Sequence, residues 1–264
     1  MDHSGVGCGD YHGVWQYLRL LDLVTTPRDH ASFYLPTLRR AIDAGRWRVL
    51  VSGAVDYSML AVALSAFTDA GVVGDITVVD VCETPIRLCR WYADRVGAGI
   101  ATEVGDILEH RPKAPYDVIV THSFLGAFSP SARARLVSSW RDWLRREGGV
   151  ATVIRIRRDP PSVVRFDAGE ASAFRARVRR EAALRSQELA IDLDALDALV
   201  EGYLAQRVVY PIGSREELAQ LFETNGFRVD SLVVEPLEAA GDGRPSGPTL
   251  RGGAQYAKIL AARE

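Results

Sequence analysis

Lysine is nearly absent from this chain of 264 residues: Lys113 and Lys258 are the only two among 32 basic side chains, and the rest are arginine. That skew reads first as a compositional bias. Cysteine is scarce too. Cys8, Cys82 and Cys89 are odd in number and widely spaced, which predicts neither a disulfide framework nor a zinc ligand set and suits a reducing, cytoplasmic setting. There is little net charge, because 32 basic and 34 acidic side chains leave a formal −2. No global basic field is then available to hold a nucleic acid. No apolar run reaches the about 18 residues that mark a membrane span. The opening residues, with Asp2 and His3, lack the basic-then-apolar pattern of an export signal. The expectation is a soluble protein that acts on neither nucleic acid nor membrane.

Hydrophobic residues at 47% and charged residues at 25% are globular proportions and supply enough apolar surface for a sizeable core. The apolar pattern is periodic. Arg46 to Ser52 is a short buried-strand run that stops at Gly53. From Asp56, a helix-start residue, Met59, Leu60, Ala63, Leu64 and Phe67 recur at helical spacing as far as Gly71. Ile76 to Val79 ends at Asp80, and Thr84-Pro85 opens a second helix to about Val96. Ile100 to Val104 and Asp117 to Thr121 are the third and fourth strands. Ser129-Pro130 begins the next helix, with Leu136, Val137, Trp140 and Leu144 inside. Gly148-Gly149 then breaks the chain before a fifth strand, Val150 to Ile156.

After Arg157 this rhythm stops. The segment from Asp159 to Gly213 holds two charge-laced helical stretches, 171–189 and 193–206, and no central strand. Core logic resumes at Ser214 with a capping box to Glu217 and a stop at Asn225-Gly226. Two closing strands follow, 227–234 and 255–260, joined by a flexible linker from Gly241 to Pro248. The fold class is α/β: a doubly wound, mostly parallel seven-stranded sheet with an antiparallel edge strand. Residues 46–157 and 214–264 form its core. A helical N-terminal segment, 1–45, and a helical insertion, 158–213, form a lid.

In such a sheet ligands sit beyond the carboxyl ends of the strands. Gly53, Asp80, Asp106 and Thr121 are the residues found there. A glycine lets backbone approach a ligand, an acid after the second strand can accept from two ribose hydroxyls, and an acid after the third can accept from an exocyclic amine. A nucleoside is implied. In order and spacing, VLVSGAVDYSMLA, TVVD, VGDILE, YDVIVTHSFLGAF and LRREGGVATVIRI together resemble the class I S-adenosylmethionine-dependent methyltransferases.

That resemblance covers residues 46–157 and, more loosely, 214–260. It implies methyl transfer from S-adenosylmethionine to a small-molecule oxygen or nitrogen nucleophile by in-line displacement. Gly53, Ala54, Tyr57, Asp80, Val81, Asp106, Ile107 and Thr121 would hold the donor, with no metal. His122 would be the catalytic base, against a plainly structural reading of a loop histidine. Ser123, with Arg28 and Tyr34 from the aromatic N-terminal segment, would contact substrate. Arg165 joins them as a carboxylate clamp, although Glu170, Glu181 and Glu188 make its helix neighbours read as a solvated face. The chain departs from the resembled pattern at Val55 and Tyr57, where the family usually carries glycines, and at Val51-Ser52, where it often carries an acid. Donor cyclisation releasing methylthioadenosine, or a non-catalytic binding role, are the alternative functions, and a homodimer is left open.

Overall fold

The computed structural model describes residues 8–158, 160–236 and 254–264. Each expected strand forms: β1 (Arg48–Ser52), β2 (Asp75–Asp80), β3 (Ala101–Val104), β4 (Tyr116–His122), β5 (Leu144–Arg157), β6 (Phe227–Pro236) and β7 (Ala254–Arg263). They build one sheet in the order β3-β2-β1-β4-β5-β7-β6. The order reverses between β1 and β4, where both pair in parallel on opposite sides of the switch point. β7 is antiparallel to both its neighbours. It lies one place in from the edge, which β6 occupies. Small residues explain this position, since Ala257 and Ala261 are buried and Ala261 lets its carbonyl come within 3.0 Å of where a β-carbon of Gly149 would stand.

The helices in chain order are α1 (Cys8–Leu20), α2 (Ala31–Asp43), α3 (Ser58–Ala70), α4 (Glu83–Val96), α5 (Pro130–Trp143), α6 (Ala168–Leu189), α7 (Leu193–Gln206) and α8 (Arg215–Glu223). Tyr34 and Leu38 of α2, Leu60 and Phe67 of α3, and Ile86 of α4 pack with the inward side chains of one sheet face. Leu136 and Trp140 of α5 and Phe222 of α8 pack on the other. A third apolar cluster joins α1 to the insertion through Val14, Leu18, Phe174, Val178, Leu196 and Val200. Leu18 and Leu196 are fully buried there, and each such side chain stabilises the assembly by about 1.5–3 kcal/mol. The N-terminal segment is therefore divided: α1 belongs with α6 and α7, and α2 belongs with the sheet core.

Three local expectations are corrected. Gly148-Gly149 does not precede the fifth strand but lies inside it. The residues are glycine because β-carbons would come to 3.0 Å of the Asp117 and Ala261 carbonyl oxygens. α4 begins at Glu83, with Cys82 in the cap position, so Pro85 falls within its first turn and Thr84 is not the cap. Asp56 is not the cap residue of α3, which is Tyr57, yet its Oδ1 still accepts the Ser58 N–H at 2.7 Å. At α8 the Ser214 hydroxyl accepts the Glu217 N–H, while Glu217 reaches back to Gly213 at 2.7 Å. The Gly241–Pro248 linker, Asp159 and the residues read for an export signal lie outside the described residues. No helix among the described residues is long and apolar enough to cross a membrane.

Candidate functional site

A cavity of about 580 Å³ opens at the carboxyl ends of β1, β2, β4 and β5. Its size suits a small organic ligand. Gly53 leaves β1 with φ +75°, its N–H donating to Val79 at 2.9 Å, and the Phe124 ring packs directly against it. Asp80 ends β2 and lines the cavity at 8% exposure. Its Oδ2 accepts the Ala54 N–H and its Oδ1 the Cys82 N–H, both at 2.8 Å. Burial pushes this carboxyl up to about 6, and the two amides oppose the rise. Asp106, exposed beyond β3, turns Oδ1 to the Leu108 N–H at 2.9 Å. Val81, Ile107 and Leu108 add an apolar lining beside the two acids. Two rigid carboxylates beside apolar side chains suit a ligand with a diol, an amine and a flat ring.

The loop from Val55 to Tyr57, with no glycine, is strapped by α1. His12 Nδ1 lies 3.1 Å from the Val55 carbonyl. Burial holds the imidazole below its ordinary pKa, so it donates from Nδ1 as the neutral form. Trp15 Nε1 and Arg19 both donate to Asp56 Oδ2, at 3.3 and 3.2 Å. Tyr57 stacks on Tyr92 with ring centres 4.7 Å apart and carries the Arg19 guanidinium 4.3 Å from its own ring centre. Ser52, in the place of the acid, is buried and accepts from Trp140 Nε1 at 3.1 Å. These residues bind each other.

At the end of β4 the Tyr34 hydroxyl donates to the Thr121 carbonyl at 2.7 Å and accepts the Val153 N–H at 3.1 Å. Its single proton is spent, so the 3.3 Å contact to His122 Nδ1 is an imidazole N–H donating to it, which makes Nε2 the basic nitrogen. Burial, then the neighbouring His30, push His122 down to about 3, and burial with Lys258 brings His30 to about 4. Both rings are neutral at neutral pH. Ser123 holds φ +51°, a left-handed conformation that costs a residue with a β-carbon about 1–3 kcal/mol, and its N–H is anchored to the Val153 carbonyl at 2.8 Å.

Gly53, Ala54, Asp80, Val81, Asp106, Ile107, His122, Ser123 and Arg165, all singled out in the sequence, come together around the cavity. Arg28, Tyr34, Tyr57 and Thr121 do not line it. Tyr34 and Thr121 are 0% exposed because the hydroxyl of one and the carbonyl of the other tie α2 to the sheet. Tyr57 is held by Tyr92 and Arg19, and Arg28 is exposed. Sequence reasoning missed Tyr11 and His12 of α1, Tyr203 and Arg207 at the end of α7, and Arg155, Arg157 and Tyr256 of the sheet. Two charges in the otherwise apolar TVIRIR strand were the available signal for Arg155 and Arg157. Cys82 is disulfide-bonded, against the expected absence of cross-links, and Cys89 is a free buried thiol. His12, Asp80 and Cys82 bring potential ligand atoms within 4.8 Å, but the disulfide leaves no thiolate to bind a metal.

No family model matches the chain, and neither does any curated protein sequence. Solved structures do match. N-methyltransferase NodS from Bradyrhizobium japonicum WM9, determined with S-adenosyl-L-homocysteine, superposes at a TM-score of 0.55 over 97% of this chain and 98% of its own, at 13% identity. The fold is that of the class I S-adenosylmethionine-dependent methyltransferases. A Burkholderia thailandensis 1,6-didemethyltoxoflavin-N1-methyltransferase, solved with its acceptor and S-adenosylhomocysteine, matches at 0.51 over 87% of this chain and 78% of its own, at 15% identity. Against the pyocyanin biosynthetic protein PhzM the match is 0.48 at 16% identity and spans 83% of this chain but 51% of that one. The cavity lies at the carboxyl edge of the sheet, and its lining includes Tyr11, His12 and Trp15 of α1 and Arg165, Tyr203 and Arg207 of the insertion.

Proposed function

We propose that the protein transfers the methyl group of S-adenosylmethionine to an oxygen or nitrogen of a small molecule. One observation carries the reading: Asp80 and Asp106 line one cavity at the strand ends of a methyltransferase fold, with Val81, Ile107 and Leu108 beside them. The donor set fits a nucleoside. Asp80, fixed by two amides, keeps lone pairs for the ribose hydroxyls, Asp106 Oδ2 accepts from the adenine amine, and the apolar trio covers the base. A narrow second cavity of about 30 Å³, beside Thr26-Pro27 and the 53–59 segment, shares Gly53, Ala54, Val55, Trp15 and His122 with the first and has room for about two water molecules.

The donor, when bound, supplies an electrophilic methyl on a sulfonium, whose S–C bond breaks toward sulfur as the acceptor lone pair forms the new bond. The chain aligns acceptor with donor and excludes water, and alignment of that kind is worth up to about 7–11 kcal/mol of a displacement barrier. α1 with residues 158–213 acts as the lid. His122, neutral and oriented by Tyr34, is held at a pKa of about 3 and so contributes an oriented polar contact rather than a strong base; the proton released by the acceptor leaves to solvent.

The test is incubation with methyl-labelled S-adenosylmethionine and a deproteinised small-molecule extract, followed by mass spectrometry. Label in a small acceptor with S-adenosylhomocysteine as co-product supports the reading. Methylthioadenosine as the nucleoside product, or donor returned unchanged, overturns it.

A further inference from the structure

One corner of the cavity gathers three side chains of the kinds that bind metal ions. Asp80 ends β2, Cys82 stands two residues on in the cap position of α4, and His12 comes to them from α1. All three line the cavity, Asp80 and Cys82 at 8% exposure and His12 at 4%, and one potential ligand atom from each lies within 4.8 Å of the others. His12 spends Nδ1 on the Val55 carbonyl, as ligating imidazoles commonly do, and this leaves Nε2 as the basic nitrogen. Each Asp80 oxygen accepts one amide and retains a second acceptor position. Cys82 is oxidised to a disulfide, so its sulfur lacks only reduction.

We propose that reduction turns this corner into a binding site for a divalent cation of the zinc type, held by the Cys82 thiolate, His12 Nε2 and an Asp80 oxygen. A dithiol is the reductant: the S–S bond breaks, the chain gains two thiols, and the two electrons and two protons come from the dithiol, which closes to its own disulfide. The Cys82 thiol proton then leaves to solvent as the metal binds. Sulfur, imidazole nitrogen and carboxylate oxygen suit Zn²⁺, which takes four ligands, and the cavity leaves the fourth place to water. The cation occupies the carboxylate that ribose would use, so metal and nucleoside donor exclude one another; only this last step rests on the methyl-transfer reading. The metal inhibits, and methyl transfer itself uses none.

The test is titration with cobalt(II), a coloured stand-in for zinc, of protein reduced with dithiothreitol and freed of it without oxygen, beside protein kept oxidised. The reduced chain is expected to bind one cobalt with a thiolate-to-cobalt absorption in the near ultraviolet that excess zinc removes, and the oxidised chain to give none. Cys82→Ser loses the absorption, His12→Gln weakens cobalt binding about tenfold or more, and Cys89→Ser changes neither. If Cys82→Ser fails to fold, His12→Gln and Cys89→Ser decide. No absorption in the reduced wild type, equal absorption in the oxidised protein, or wild-type cobalt affinity in His12→Gln overturns the inference. S-adenosylhomocysteine titrated into the reduced protein should bind about tenfold or more weakly once cobalt saturates the site, and unchanged affinity overturns the exclusion. A metal-free protein that takes no S-adenosylhomocysteine fails the methyl-transfer reading instead, and the cobalt absorption still decides the metal site.

Discussion

Phe124 rests against Gly53 so closely that a β-carbon on the glycine would collide with the ring. Gly53 also holds φ +75°, so two separate constraints exclude a side chain there. Gly53→Ala is expected to lose about 1–3 kcal/mol for the left-handed backbone, with the collision added. In a Phe124→Ala background only the backbone cost remains. Urea denaturation of the double-mutant cycle should show coupling of about 1 kcal/mol or more, and strictly additive losses would mean the ring does not press on the glycine.

Asp80 predicts a pH dependence of donor binding. Its carboxyl, raised by burial to about 6, must be ionised to accept from ribose hydroxyls. At pH 5 about a tenth of the protein is competent, so S-adenosylhomocysteine should bind about tenfold more weakly than at pH 8. Asp80→Asn should bind weakly at both values. Stability moves the other way: the folded pKa lies above the unfolded 3.8, so this group's contribution is present below 3.8 and lost as pH rises through 6. Equal wild-type affinity at both pH values would remove Asp80 from the site.

His30 and His122 predict sensitivity to acid. Both are held below the ordinary 6.5, at about 4 and about 3, chiefly by burial, with ring centres 5.3 Å apart. Below pH 6.5 the unfolded chain takes up protons that the folded chain refuses. The stability they contribute is therefore complete above 6.5 and is lost as pH falls toward 4, at up to about 1.4 kcal/mol per pH unit for each ring. The double variant His30→Gln/His122→Gln should flatten the chemical-denaturation profile between pH 6.5 and 5. A profile as steep as wild type would contradict the placement of these rings.

The strap of α1 over the 55–57 loop is tested by Trp15→Phe, which keeps the ring and removes the N–H donated to Asp56. A lost hydrogen bond of this kind costs about 1 kcal/mol. Amide exchange in α1 should quicken about fivefold while α3 is unaffected. Unchanged exchange in α1 would show that the apolar cluster alone holds the helix.

Much of this fold was legible because each strand is a short apolar run closed by glycine or an acid, and Asp80 and Asp106, singled out at two of those strand ends, both line the cavity. Thr121 and Tyr34 lie off the cavity because backbone carbonyls and amides, which carry no sequence signature, claim the Tyr34 hydroxyl. Arg207 had no local signal, since its place depends on Tyr203 and on Tyr11 from a distant helix. Gly148-Gly149 looked like a break because close backbone approach and chain reversal both ask for glycine.

The central claim is a nucleoside donor held by Asp80. Calorimetric titration of S-adenosylhomocysteine into wild type and Asp80→Ala at pH 8 tests it most directly. The wild type is expected to show one saturable site per chain, abolished in a folded Asp80→Ala protein. No heat from the wild type, or near-native affinity in the variant, would contradict it.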